Sequence, residues 1–174
     1  MKQILKNIYI EFRSDKKYFI FGRSGSGKST LMRIICGLQR STSGNVEFTF
    51  DNRQFDEVDR RAHIGLAAPD LTFYSELTAV ENLEFMAELR GIHLKYEDLS
   101  RLLELVDLKG RGRERISGYS SGMRQRLKVA CALLHRPPVL ILDEPTANLD
   151  SAGSDIMKNI VQHQRAHGLA IVAT

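Results

Sequence analysis

The chain has little of what would make it secreted, disordered or membrane-spanning. Only two cysteines, Cys36 and Cys131, occur in 174 residues. They share no metal-ligand spacing and cannot form a disulfide framework, so both read as small core residues in a reducing compartment. No apolar run approaches the roughly 18 residues that cross a bilayer. Near the start, Lys2 and Lys6 flank only Ile4-Leu5, too little for the apolar centre of a signal peptide. Runs of like charge are absent, and the net charge is only +4, from 25 basic and 21 acidic residues. No electrostatic footprint for nucleic acid exists, and no nucleic-acid partner is expected. Low-complexity tracts are missing too, since 43% hydrophobic and 26% charged residues make an ordinary globular balance. A single domain of this length buries a real core.

What is present is a phosphate cradle. Gly22-Arg23-Ser24-Gly25-Ser26-Gly27-Lys28-Ser29-Thr30 fits G-x-x-x-x-G-K-[ST] at every fixed position. The apolar run Tyr18-Phe19-Ile20-Phe21 before it reads as a buried strand. Leu31, Ile34, Ile35 and Leu38 after it fall on one face of a helix. Glycines let such a loop wrap closely, so that successive N–H groups form an anion nest, and the helix beginning near Lys28 adds its own unpaired donors. Lys28 is expected to reach the β- and γ-phosphates, and the Ser29 hydroxyl to bind Mg2+.

A nucleoside triphosphate site also needs an acid. Val139-Leu140-Ile141-Leu142-Asp143-Glu144-Pro145 is a continuous apolar run, read as a central parallel strand ending in two carboxylates. Ligands in open α/β sheets lie at the carboxyl ends of strands, which brings Asp143 beside the glycine loop as the Mg2+ partner. Glu144, one residue on, is placed to orient or deprotonate an attacking water.

Between these halves, Tyr119-Ser120-Ser121-Gly122-Met123-Arg124-Gln125-Arg126-Leu127 resembles the signature motif of ATP-binding cassette (ABC) proteins. Tyr119 stands where the motif usually opens with leucine, and Ser120 and Gly122 occupy its most diagnostic positions. Ala147-Asn148-Leu149-Asp150, after Asp143-Glu144-Pro145-Thr146, looks like the family's D-loop. These motifs run in family order from Gly22 to Asp150. The chain resembles an ABC nucleotide-binding domain, most like the compact domains of exporters. The resemblance implies an α/β fold of the P-loop NTPase (RecA-like) kind, with a mostly parallel sheet, helices on both faces and an inserted helical subdomain. Core residues are then 1–69 and 137–174, with the helical subdomain at about 70–136. Two such domains pair head to tail, so Ser120, Ser121, Gly122 and Met123 would face ATP bound by the partner, and Asp150 would lie at the seam. By its residues alone, Asp150 reads equally well as an N-cap for the helix from Ser151.

The implied function is ATP binding and hydrolysis, with Glu144 and Lys28 catalytic. The implied protein is the motor of a membrane transporter, joined to permease subunits at the cytoplasmic face of the membrane. The competing readings are a soluble ABC ATPase that moves no solute, a small-molecule P-loop kinase, and a nucleotide-binding fragment without turnover. Within the insert, Thr78-Ala79-Val80-Glu81 is a capping box, followed by the stripe Val80, Leu83, Phe85, Met86 and Leu89 and closed by Gly91. A second helix runs from about Tyr96 to Val106. In the family this subdomain touches the transmembrane subunits, with Phe73, Tyr74 and Glu76 where that contact would begin.

Two departures from the family stand out. Where a glutamine should follow the strand Ile64-Gly65-Leu66, the chain reads Ala67-Ala68-Pro69-Asp70. Asp70 or a water is expected to take over, and unchanged turnover and Mg2+ dependence in Asp70→Ala would remove that idea. Both ends look trimmed: a switch histidine would follow Thr174, and an adenine-stacking aromatic would precede a strand at Ile4-Leu5-Lys6-Asn7. His163 and His167 have metal-ligand spacing but no third ligand nearby in sequence, and are expected to be solvated.

Overall fold

The computed structural model describes residues 4–174. Its centre is a four-stranded parallel sheet of β1 (Lys17–Ile20), β4 (Ile64–Ala67), β5 (Val139–Asp143) and β6 (Leu169–Ala173), in the order β1-β6-β5-β4. All three pairings are parallel. Strands β5 and β6 are buried along their whole length, which is why both read as unbroken apolar runs rather than alternating ones.

Side-chain alternation then sorts these strands between two cores. Val139, Ile141, Leu169 and Ile171 pack with Met32 and Cys36 on the side of α1 (Lys28–Ile35). Leu140, Leu142, Ala170 and Val172 face the other way, against Leu127 of α4 (Ser121–Leu133) and Met157 and Ile160 of α5 (Ser151–His167). Helices therefore cover both faces, as expected for this α/β class. The same larger core holds Leu83 of α2 (Ala79–Glu88) and Leu99 and Leu103 of α3 (Tyr96–Leu105). Both cysteines are buried free thiols, pushed up by burial to about 12 for Cys36 and about 11 for Cys131.

Short strands β2 (Phe48–Phe50) and β3 (Arg53–Phe55) form a separate antiparallel hairpin. Its two-residue turn, Asp51-Asn52, has positive φ at both positions (49° and 58°), the type I′ geometry that matches strand twist. Phe48, Phe50 and Phe55 gather around His63, the nearest ring centroid lying 4.3 Å away at Phe55.

Four local expectations change. The strand expected to be buried over Tyr18-Phe19-Ile20-Phe21 forms as β1 but lies at the sheet's edge, with Phe19 48% and Phe21 76% exposed. No strand forms over Ile4-Leu5-Lys6-Asn7; residues 4–16 have no regular secondary structure. Asn7 turns left-handed (φ 50°), which breaks an extended run, and no neighbouring strand is there to pair with it. The aromatic expected ahead of that strand falls on residues 1–3, outside the described residues. The stripe of α1 stops at Ile35, because Gly37 at φ 71° ends the helix and leaves Leu38 57% exposed. In α2 the capping box at Thr78 forms, but Leu89 lies at the C-cap and is exposed, and Ala87 is buried in its place.

Candidate functional site

The glycine loop hangs between the ends of β1 and α1. Thr174 donates to the Ile20 carbonyl (3.1 Å), and Gly22 donates to Thr174 (3.3 Å), so the tip of β6 fixes where the loop begins. Gly27, the N-cap of α1, has φ 99°, a conformation a side chain opposes. Crowding adds to this, since a Cβ there would approach Leu5 Cδ2 to 2.8 Å. The first helical bond runs from Leu31 N–H to Gly27 (2.9 Å), which leaves the N–H groups of Lys28, Ser29 and Thr30 outside the ladder. No acidic residue and no capping side chain competes for them. Arg23, Ser24, Gly25 and Ser26 are exposed, and Ser29 and Thr30 half-buried.

Lys28 folds back over this nest. Its Nζ donates to the Gly22 carbonyl at 2.7 Å and lies 3.3 Å from Glu144 Oε1, with only 8% of the side chain exposed. The structure thus brings together the loop and the strand-end carboxylate, 116 positions apart in sequence (144 − 28). Glu144 is held by its backbone as much as by its charge. It has φ 51°, its N–H donates to the Ala173 carbonyl (2.9 Å), and its own carbonyl accepts from Ala147 N–H (3.2 Å). A non-glycine residue in this region is the kind of backbone cost that surrounding structure must hold in place.

Asp143 closes β5 at 2% exposure, and its Oδ1 is buried with no hydrogen-bond partner among the described residues. A buried carboxylate oxygen without a donor is costly unless something electropositive satisfies it. Oxygen donors of this type suit a hard divalent cation, so the residues present fit Mg2+.

Ser120 caps α4, accepting from Met123 N–H at 3.2 Å. Ser120 and Ser121 are exposed, Gly122 and Met123 half-buried. Gly122 packs against the next loop; a Cβ there would sit 3.3 Å from the Asn148 carbonyl oxygen. Among the described residues no hydrogen bond joins Ser120, Ser121, Gly122 or Met123 to the 22–30 loop. Asp150 caps α5, its Oδ1 accepting from Gly153 N–H at 2.8 Å. Of the two readings open for Asp150, the capping one is therefore realised within the chain.

Asp70 pairs with α1. Its Oδ2 lies 2.9 Å from Arg33 of α1, while the neighbouring Pro69 carbonyl accepts from Lys128 of α4 at 2.5 Å. Burial lowers the Lys128 pKa, against a smaller raising influence from Asp70. The 69–70 loop is thus pinned to both helices by residues that show no sequence motif. Asn82 was equally illegible. Fully buried, it accepts from Tyr74 N–H (2.8 Å) and donates to Tyr74 (3.0 Å) and Thr78 (2.9 Å) carbonyls, fixing the approach to α2. Beside it, a cleft of about 450 Å³ is lined by Leu71, Phe73, Ile116, Arg124 and Lys128. The His163 and His167 rings stack at 4.7 Å rather than converging on one point.

Comparison with known proteins agrees with this geometry. Residues 5–147 match the sequence model of the family described as ABC transporter. The chain is 40% identical over 176 residues to YdbJ of Bacillus subtilis, an uncharacterized ABC transporter ATP-binding protein, covering 98% of this chain and 56% of that one. It is 37% identical over 155 residues to the bacitracin transport ATP-binding protein BcrA of Bacillus licheniformis, covering 89% and 50%. Among solved structures, the ATP-binding cassette MJ0796, a dimer in a post-hydrolysis state bound to ADP and Pi, superposes with a TM-score of 0.83. That match has 28% identity and covers 98% of this chain and 79% of the other. The chain spans about half the length of the curated relatives it matches. A glycine loop closed by Lys28 onto Glu144, on an all-parallel sheet, with the family's sequence running from residue 5 to 147, places this chain in the ABC transporter family.

Proposed function

We propose that the chain binds ATP with Mg2+ and hydrolyses it as the nucleotide-binding unit of a membrane transporter. The observation that carries this reading is the Lys28–Glu144 pair at 3.3 Å, beside the unpartnered Oδ1 of Asp143. An ammonium group held by one carboxylate and by the Gly22 and Arg23 carbonyls is poised to exchange them for a stronger anion. When triphosphate enters the nest of residues 22–30, Lys28 turns to the β- and γ-phosphates, and its hold on Glu144 is released. Glu144 is then a free carboxylate, positioned by its main chain to accept a proton from water attacking the γ-phosphate in line. Ser29 and Asp143 would hold Mg2+, which supplies charge stabilisation for the transferring phosphoryl group.

The remaining roles follow the same order. Ser120, Ser121, Gly122 and Met123 would present the N-terminus of α4 to the nucleotide of a second nucleotide-binding domain, with Asp150 near the seam. A core of 1–69 and 137–174 would carry the nucleotide, and the helices of about 70–136 would carry the signature. Permease subunits would complete the transporter at the inner face of the cell membrane. Among the described residues no helix is long and apolar enough to cross a membrane. MJ0796 was solved as a dimer with ADP and Pi, and BcrA is named for bacitracin transport; both support the reading by likeness.

The test is Glu144→Gln. Hydrolysis should fall by about 10²-fold or more, the scale of a general base, while calorimetry still shows ATP binding with Mg2+. Loss of binding would mean that Glu144 is structural.

A further inference from the structure

The signature helix, α4, also reaches the turn that carries Glu144. One turn in from its cap, Gln125 is 8% exposed, and its Nε2 donates to the Glu144 carbonyl at 3.2 Å. The interaction crosses from α4 to the turn after β5. We propose that Gln125 is a positioning residue for hydrolysis, holding Glu144 in its left-handed conformation and tying that conformation to the signature helix.

The geometry supports a two-point hold. The Glu144 N–H is fixed to Ala173 of β6, and its carbonyl to Gln125 of α4. Between these anchors the residue sits at φ 51°, where an unrestrained glutamate would relax to negative φ. The Ala147 N–H bond to the same carbonyl belongs to the local turn and survives a tilt of the turn as a whole. For the carbonyl, Gln125 is the anchor that comes from another element. Gly122 rests on Asn148, so the first turn of α4 and the 144–148 turn touch at two places along their length. A shift of Ser120–Met123 is therefore passed to the Glu144 main chain. The carboxylate that faces Lys28 on this side would respond to what the signature meets on the other. This inference rests on the proposed role of Glu144.

The test uses Gln125→Leu and Gln125→Glu. Leucine keeps the bulk, and glutamate keeps the shape while replacing the donor with a carboxylate. Both should lower kcat about tenfold, the scale of one hydrogen bond, while the ATP dissociation constant measured with Mg2+ stays within twofold of the parent. Introduced into Glu144→Gln, neither should slow residual turnover further, because the group being positioned is gone. A kcat within twofold of the parent in either folded variant overturns the inference, as does an additive loss in the Glu144→Gln background. Should Glu144→Gln alone hydrolyse ATP at the parental rate, the reading of Glu144 falls and this inference with it.

Discussion

Replacing Lys28 with alanine separates two consequences that are usually confounded. At 3.3 Å, and with an effective dielectric of about 20, the attraction between Lys28 and Glu144 is about 5 kcal/mol. Glu144 is 41% exposed on its side chain, so hydration replaces most of that attraction when the ammonium is removed. The bond to the Gly22 carbonyl adds about 1 kcal/mol. Folding stability should therefore drop by only about 1–2 kcal/mol, or roughly 2–8 °C in a domain of this size. Triphosphate binding is different, because no water in the nest reproduces a fixed cation. Losing one charge-assisted contact of about 1.5–3 kcal/mol weakens binding about 10- to 100-fold. Glu144→Gln should show the opposite pattern, with ATP affinity equal or tighter because Lys28 loses its competitor. Titration calorimetry with ATP and Mg2+, beside scanning calorimetry of each variant, measures both quantities. If Lys28→Ala binds ATP within threefold of the parent, the cradle is misassigned.

Other outcomes follow from packing and protonation. Gly65→Ala should cost about 3 kcal/mol or more, since a Cβ there collides with the Ala132 backbone where β4 meets α4, and thermal melting would show it. His135 is pushed down to about 4, first by burial and then by Arg90, so the folded chain keeps it neutral. The unfolded chain takes up that proton near its ordinary value of about 6.5, so stability falls as pH drops from there toward about 4; because His135 is only half-buried, solvent screening keeps the loss well below the full slope of about 1.4 kcal/mol per pH unit. His135→Leu should flatten that stretch of a urea-midpoint series. Asn82→Leu leaves the Tyr74 N–H without its acceptor, while the Tyr74 and Thr78 carbonyls keep the main-chain donors Leu77 and residue 82, and should cost about 1–3 kcal/mol in the same assay.

The features legible in the sequence are those whose cause is local. Glycines at fixed spacing, a strand buried on both faces, and caps at Thr78, Ser120 and Asp150 each announce themselves within a few residues. Features set by distant partners were silent. Nothing near Gln125 signals that its amide reaches Glu144, and nothing near Pro69 signals Lys128, because both contacts depend on how α4 packs. The family resemblance also implied a strand at Ile4-Leu5-Lys6-Asn7, where the described residues form none. The β2–β3 hairpin errs the other way. Asp51-Asn52 carries suitable turn chemistry, but strands of three residues are too short to display a period.

The sheet order has a consequence for how this protein comes into being. Strand β6 lies between β1 and β5; its last residue, Ala173, anchors Glu144, and Thr174 just beyond it anchors Gly22. During synthesis the glycine loop leaves the ribosome about 150 residues ahead of the strand it must lean against. Contacts so far apart in sequence form late and slowly. A nascent chain stalled after residue 30 and before residue 169 would thus carry the complete glycine motif and still have no finished pocket to close around a nucleotide.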